Sequence, residues 1–422
     1  MKLKQSIIPG LLLAFSAGMC WIWQSCAESS HAAEERPGFV RVEGHDLVKP
    51  DGSRLYIAGT NLGNWLNPEG YMFGFGKTNS PSMINNLFCQ LIGPAEAASF
   101  WKTFKDCYIT EADIRYIAQE GANTIRVPFH YKLFTDEDYM GLTSSQDGFE
   151  RLDSVVEWCG KNNLYVILDM HDAPGGQTGD NIDDSYGYPF LMENEADKEE
   201  FCEIWSKIAA HYKDNPVILG YELINEPVAT YFDNQDILNE KLVSIYKSGI
   251  DAIRKEDKDH IILIGAPQWN SNFSALNPDD FSDDPQIMYT CHRYGGEPTS
   301  EAIRGFIEFR NKSGRPMYMG EIGHNTDQWQ RDFVSVLEEN NIGYTFWPYK
   351  KIDGSCMRGI SAPEGWDYII ECSESPRQTY ADIRNLKINH ELAKELLKSF
   401  LDSCRFENTH TNVAYVNSLH LK

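Results

Sequence analysis

The sequence predicts an α/β fold: a (β/α)8 TIM barrel forming a single domain, with an N-terminal β-hairpin and long loops on one face. Three observations predict it. From residue 38 onward, short apolar runs alternate with amphipathic helical patterns, the mark of repeated β-α units. Several of those runs are almost continuously apolar, as parallel strands covered by helices are. The 422 residues suffice for one barrel of roughly 250 residues with insertions, and no repeat, low-complexity tract or linker marks a second domain.

Taken in order, "FVRVEGHDLVKPDGSRLYIAGTN" reads as a hairpin turning at Asp51-Gly52 and running into a first inner strand. "TEADIRYIAQEG" is a helix with Thr110 as N-cap, Asp113 completing a capping box and Gly121 closing it. "NTIRVPF" is the second strand. The helix "GFERLDSVVEWCGKNN" leads to the strand "LYVILDMH". The helix "EADKEEFCEIWSKIAAHYKDN" leads to "VILGYELIN", and "NEKLVSIYKSGIDAIRKED" leads to "HIILIGAPQW". "IMYTCHRY", the helix "EAIRGFIEFRNKSG", "PMYMGEIG", the helix "QWQRDFVSVLEENN" and "GYTFWPYK" follow. A helix "NHELAKELLKSFLDSC" closes a domain spanning 38–404, and residues 405–422 are left as a tail. Eight strands, each followed by a helix, make the barrel, and catalytic groups in this fold sit at the C-terminal ends of the strands. Three loops on that face are long: 66–110 with Tyr71, Phe73, Phe75 and Trp101, then 172–192, then 351–388 with Trp366. Long loops on one face build binding sites.

Residues 1–25 read as a signal peptide. Lys2 and Lys4 precede the apolar stretch "IIPGLLLAFSAGMCWIW". Cys26 follows Ser25 just past that stretch, in the manner of a bacterial lipoprotein processing site; cleavage after Ala32 is the alternative. The expected location is outside the cytoplasm, as a surface or periplasmic lipoprotein held through Cys26 or as a secreted protein. The net charge of -24 repels phosphate backbones and argues against nucleic acid, while a neutral polymer is compatible with it. The cysteines show no CxxC and no metal-ligand spacing, and Cys159 and Cys291, in helix and strand patterns, are expected as buried free thiols.

Two glutamates carry the most chemistry. Glu226, in "VILGYELINEPV", and Glu321, in "RPMYMGEIGH", each follow an apolar run where a strand gives way to a loop. Glycoside hydrolysis needs such a pair: one carboxyl that holds a proton and gives it to the leaving oxygen, and one carboxylate that attacks the sugar carbon. Other strand ends supply Arg126, His171, Asn225, His292, Tyr294 and Trp347. Singly, each has a structural reading: a strand-end salt bridge for either glutamate or Arg126, pairing of His171 with Asp169 or Asp172, a core position for Trp347. Those readings predict no ordering along the strands.

The ordered set resembles glycoside hydrolase family 5, the cellulase-type retaining β-glycosidases, over residues 38–404. The resemblance implies Glu226 as acid/base and Glu321 as nucleophile. It implies that Asn225 bonds the sugar 2-hydroxyl, that Arg126 holds Glu321 ionised and that Tyr294 hydrogen-bonds it. His171 and His292 would bind sugar or orient the carboxylates, and Trp347 would lie under the sugar at the cleavage point. No cofactor and no metal are implied, the substrate is a β-linked glucan or other β-glycan, and a monomer is expected. "GTNLGNWL" and "MHDAPGGQTG" resemble the exo-β-1,3-glucanase branch. An endo-β-1,4-glucanase with an open groove is the alternative. Two remoter readings are a metal hydrolase using His171, Asp172, His292 and Glu321, which a chelator test would reveal, and a non-catalytic carbohydrate-binding protein, which would release no phenol from an aryl β-glycoside.

Overall fold

The computed structural model describes residues 38–141, 144, 146–352 and 354–421. The export segment, with Cys26, lies outside the described residues. Arg41–Glu43, Asp46–Val48 and Arg54–Leu55 form a small antiparallel sheet. Its second turn is the expected one: Gly52 takes φ 83°, and the Asp51 carboxylate accepts from the Ser53 N–H at 2.8 Å. Val42, Leu47 and Leu55 from this hairpin pack against Ile167, Leu219, Ile261, Leu263 and Met288, filling one end of the barrel.

The eight inner strands are β1 (Ala58–Asn61), β2 (Thr124–His130), β3 (Tyr165–Asp172), β4 (Ile218–Glu222), β5 (Ile261–Gly265), β6 (Ile287–His292), β7 (Met317–Gly323) and β8 (Gly343–Trp347). They pair in parallel with their sequence neighbours, and β8 returns to β1 to close the barrel. Every residue of β2, β4, β5, β6, β7 and β8 is buried. That is why their sequences are apolar runs rather than alternating ones. Helices such as Gln146–Lys161, Glu195–Tyr212 and Gln235–Glu256 lie in the connections. The capping box at residue 110 is present, with the Asp113 carboxylate accepting from the Thr110 N–H at 2.8 Å.

Three expectations change. Residues 66–110 are not an open loop, because Pro81–Ile92 and Pro94–Cys107 are helices. They bury Phe73, Phe75, Phe88, Trp101, Phe104 and Phe400 in one aromatic cluster, and Trp366 stacks on Phe75 and Phe400. Phe73, Phe75, Trp101 and Trp366 are therefore core; their apolar area is worth more there than on a rim. Secondly, no full helix follows β5. Residues 266–286 are rich in Asn, Asp, Ser and Pro, whose side chains favour turns over helix. Thirdly, residues 405–421 belong to the compact unit. His410–Thr411 pairs with Arg358–Ile360, Tyr415 and Leu419 are buried, and the Leu419 carbonyl accepts from the Tyr344 hydroxyl at 3.0 Å. Cys159 and Cys291 are buried free thiols, as expected.

One polar layer crosses the apolar barrel. Arg126, on β2, donates from Nε to Glu222 Oε2 at 2.9 Å and from Nη2 to Glu222 Oε1 at 2.8 Å. Its Nη2 also lies 2.9 Å from Asp169 Oδ2, and Tyr318 donates to Glu222 Oε2 at 2.9 Å. Arg126, Asp169 and Glu222 are fully buried. Charges out of water persist only when paired and hydrogen-bonded. Arg126→Met should therefore lower the unfolding free energy by about 3–5 kcal/mol, the usual result of breaking a buried pair from one side. Urea denaturation would register this as a lower midpoint. An unchanged midpoint would mean that the layer carries no such coupling.

Candidate active site

The C-terminal ends of the strands surround a cavity of about 290 Å³ lined by Glu69, Tyr71, His171, Ile182, Glu226, Tyr294, Glu321, His324 and Trp347. Five of these, His171, Glu226, Tyr294, Glu321 and Trp347, were expected from the sequence. The other three expected residues, Arg126, Asn225 and His292, stand directly behind them.

Glu321 is aimed by an irregularity in β7. The register of β7 shifts between Met319 and Glu321 against β6, and between Met319 and Ile322 against β8. Such a bulge turns a side chain that a regular strand would point elsewhere. Gly320 permits it, since a Cβ there would come within 2.4 Å of Thr290 Oγ1. Arg126 Nη1 donates to Glu321 Oε1 at 2.7 Å, and the Tyr294 hydroxyl donates to Oε2. Glu321 thus has a full positive charge beside one oxygen and a phenol on the other.

Glu226 sits differently. Strand β4 ends at Glu222, so Glu226 lies in the loop beyond it rather than at the strand end. Its backbone takes φ 44°, in the left-handed region, and its carbonyl accepts from Thr178 Oγ1 at 2.7 Å. Its carboxyl meets a neutral ring: His292 Nδ1 lies 2.7 Å from Oε1. Burial pushes the Glu226 carboxyl up to about 7 and drives His292 down to about 4. One oxygen of Glu226 and one of Glu321 lie within 4.8 Å of each other, with His292 between them. Carboxyls this close suit direct attack on the sugar, whereas an intervening water needs about 6.5–9.5 Å.

Asn225 is fixed from both ends of its amide. Oδ1 accepts from Arg126 Nη2 at 2.9 Å, and Nδ2 donates to His171 Nε2 at 3.3 Å. His171, driven to about 4 by burial, is neutral, so its remaining proton is on Nδ1 and goes to Asp169 Oδ2 at 2.7 Å. Trp347 stacks on His171 with ring centroids 5.1 Å apart and planes within 3°, and its Nε1 donates to the Tyr71 hydroxyl at 2.6 Å. Gln177 staples the two loops, donating to the carbonyls of His171 at 2.7 Å and Asn225 at 2.9 Å.

Sequence reasoning missed Glu69, Tyr71 as a pocket wall, Gln177, Glu222 and His324. Glu69 is buried in the cavity wall, its carboxyl pushed well above the usual range by desolvation, and its Oε1 has no hydrogen-bond partner among the described residues. A polar residue in "NPEG" reads as surface, and nothing local announces its burial. His324 takes φ 47° and faces Tyr71 and Tyr294 edge-on at 5.2 and 5.9 Å. Its position straight after "GEIG" was the available signal. Glu226, His292 and Glu321 are close enough to share a cation. Here their donor atoms are instead tied to one another and to Arg126 and Tyr294, an arrangement that serves proton transfer directly.

Known proteins share this architecture. The family model for cellulase (glycosyl hydrolase family 5) matches residues 86–352. A β-xylosidase of Phanerodontia chrysosporium is 27% identical over 358 residues, covering 76% of this chain and 73% of the relative. Endoglucanase C of Acetivibrio thermocellus is 29% identical over 314 residues, covering 60% of this chain and 88% of the relative. A glucan 1,3-β-glucosidase of Lachancea kluyveri is 31% identical over 229 residues, covering 51% of this chain and 50% of the relative. The family match runs from β2 to β8 and takes in both carboxyls; the chain belongs to glycosyl hydrolase family 5 and is a glycoside hydrolase.

Proposed function

We propose that the protein is a retaining β-glycoside hydrolase that removes terminal sugars from a β-linked glucan or related oligosaccharide by double displacement, in the manner of an exo-β-1,3-glucanase or β-glucosidase. The observation that carries this reading is the pair Glu226 and Glu321, within 4.8 Å and in opposite environments. Glu226, uncharged below about pH 7, gives its proton to the glycosidic oxygen as Glu321 attacks the anomeric carbon and forms a glycosyl ester. Glu226, now a carboxylate, then takes a proton from a water that displaces Glu321. Asn225, whose Nδ2 keeps one free N–H, meets the sugar 2-hydroxyl; Trp347 lies against the ring face.

The terminal-sugar reading rests on the cavity. It is small, and Glu69 and Tyr71 form part of its wall. The helices Pro81–Ile92 and Pro94–Cys107 back the segment that carries them. The relatives named β-xylosidase and glucan 1,3-β-glucosidase fit this reading, and the one named endoglucanase C keeps an endo-β-1,4-glucanase as the second. The reading includes export through residues 1–25, either as a lipoprotein held through Cys26 or as a freely secreted protein.

The two glutamates should fail differently. Glu226→Gln should lose roughly 10²–10⁴-fold on substrates with poor leaving groups, keep glycosylation of activated aryl glycosides and recover turnover with azide. Glu321→Gln should be inactive on all of them. Equal losses with no azide effect would reverse the assignment.

The pH dependence has a definite sign. The first step needs protonated Glu226, so kcat/KM should fall as pH rises through about 7. Glu226→Gln should lack that limb. A wild-type profile flat from pH 6 to 9 would contradict the role.

On polymer, reducing sugar should appear well before viscosity falls. A rapid viscosity drop with mixed oligosaccharides from the first minutes would select the endo-acting alternative.

A further inference from the structure

The loop after β5 does something unusual. Gln268, Trp269 and Asn270 take φ of 55°, 57° and 55°, three successive left-handed residues that all carry a Cβ. L-residues resist this conformation, and a run of three persists only where the surroundings impose it. Here they do. The Gln268 N–H donates to the Val228 carbonyl at 2.9 Å, its Nε2 donates to Asn239 Oδ1 at 3.1 Å, and Asn272 Nδ2 donates to its Oε1 at 2.9 Å. Val228 is itself left-handed, two residues after the left-handed Glu226. The loop that carries Glu226 and the loop that carries Asn270 are thus tied to each other.

The product of this bend is the placement of one amide. Asn270 is fully buried, and its Nδ2 lies 3.2 Å from His292 Nε2. Its Oδ1 rests against Gly265, where a Cβ would come within 2.0 Å of that oxygen. Only glycine leaves room, and no donor reaches that oxygen among the described residues. An amide NH₂ can only donate. With Nδ2 toward the ring, His292 Nε2 is the acceptor, and the single proton of the neutral imidazole sits on Nδ1, 2.7 Å from Glu226 Oε1. With the amide reversed, Nε2 would carry the proton, and a bare Nδ1 would draw the Glu226 proton toward itself. His292 is also faced by Glu321, with Nδ1 to Oε2 at 3.6 Å, and by the charges of Arg126 and Glu222 and the ring of His171. The Thr290 and Tyr318 hydroxyls stand near Nε2 around Gly320, but Thr290 Oγ1 has no hydrogen-bond partner among the described residues and Tyr318 donates to Glu222, which leaves Asn270 as the group hydrogen-bonded to Nε2.

We propose that Asn270 is a positioning residue for proton transfer: it holds His292 as the Nδ1–H tautomer, so that His292 donates to one oxygen of Glu226 and the proton of Glu226 is kept on the other, free for the leaving group. In the second step the same Nδ1–H steadies the Glu226 carboxylate while it takes a proton from water. This rests on Glu226 being the acid/base.

The tautomer is directly measurable. In the unmodified enzyme with ¹⁵N-labelled histidine, His292 should show a protonated Nδ1 and an unprotonated Nε2 at pH 6–7. A protonated Nε2 there would overturn the proposal without any variant. Asn270→Asp keeps the shape and replaces the donor with an acceptor, so the proton should move to Nε2. Its kcat/KM should fall by about 10²-fold for alkyl or sugar leaving groups and by less than about threefold for dinitrophenol, which needs no proton. The basic limb of its pH profile should also move. Equal losses for both leaving groups, with the limb and the tautomer unchanged, would reduce Asn270 to a structural role. Glu226→Gln assayed in parallel separates the two ideas. If it shows leaving-group dependence and Asn270→Asp does not, only the role of Asn270 falls; if it shows none, the acid/base assignment falls first.

Discussion

Everything in this site depends on how one buried arginine spends its five N–H groups. Arg126 gives Nε to Glu222, Nη2 to Glu222, Asn225 and the facing Asp169 carboxylate, and Nη1 to Asn61 and Glu321. A planar guanidinium imposes directions as well as charge. Strands β1, β2, β4 and β7 and the Glu226 loop are therefore referred to one rigid group. Glu222 makes this possible. It takes two of these bonds and is itself held by Tyr318, so the arginine is anchored in the barrel before it reaches the pocket.

From that anchor the two carboxyls acquire different chemistry. Glu321 is in contact with the guanidinium, while Glu226 meets only an imidazole that burial keeps neutral. Both are nearly out of water, where such differences are not screened. The protein does not separate the pair by distance; it separates them by partner. The strained backbone follows the same logic. Glu226 and His324 take left-handed φ and line the cavity, and the left-handed Asn270 meets His292 behind it. Regular strand geometry holds the arginine layer, and irregular geometry above it delivers side chains that a regular strand could not aim.

The barrel was legible because burial on both sides leaves a strong local signal. "NTIRVPF", "LYVILDMH" and "PMYMGEIG" are strands whatever their neighbours do; His171 and Glu321 stand toward the C-terminal ends of theirs, whereas Arg126, expected at a strand end, lies inside β2 and reaches the site from within the barrel. The parts that escaped reading are those that only tertiary contact defines. Phe73 and Trp101 look like a sugar-binding rim in sequence, yet the helices Pro81–Ile92 and Pro94–Cys107 close over them. Glu69 looks like surface but is enclosed in the pocket wall. Glu222 sits in the same apolar run as Glu226 and was overshadowed by it, though it holds the arginine. The loop after β5 continued an apolar run on paper; its Asn-rich composition, and the tie from Gln268 to Val228, bend it instead.

The central claim is that Glu321 bonds covalently to the sugar while Glu226 moves the proton. Its most direct measurement uses a 2-deoxy-2-fluoro β-glycoside with a dinitrophenyl leaving group, which forms the glycosyl ester but slows its hydrolysis. The account predicts a stoichiometric burst of dinitrophenol, and a peptide carrying one fluorosugar on Glu321 by mass spectrometry. A sugar on Glu226, or steady release with no burst and no labelled peptide, would contradict it.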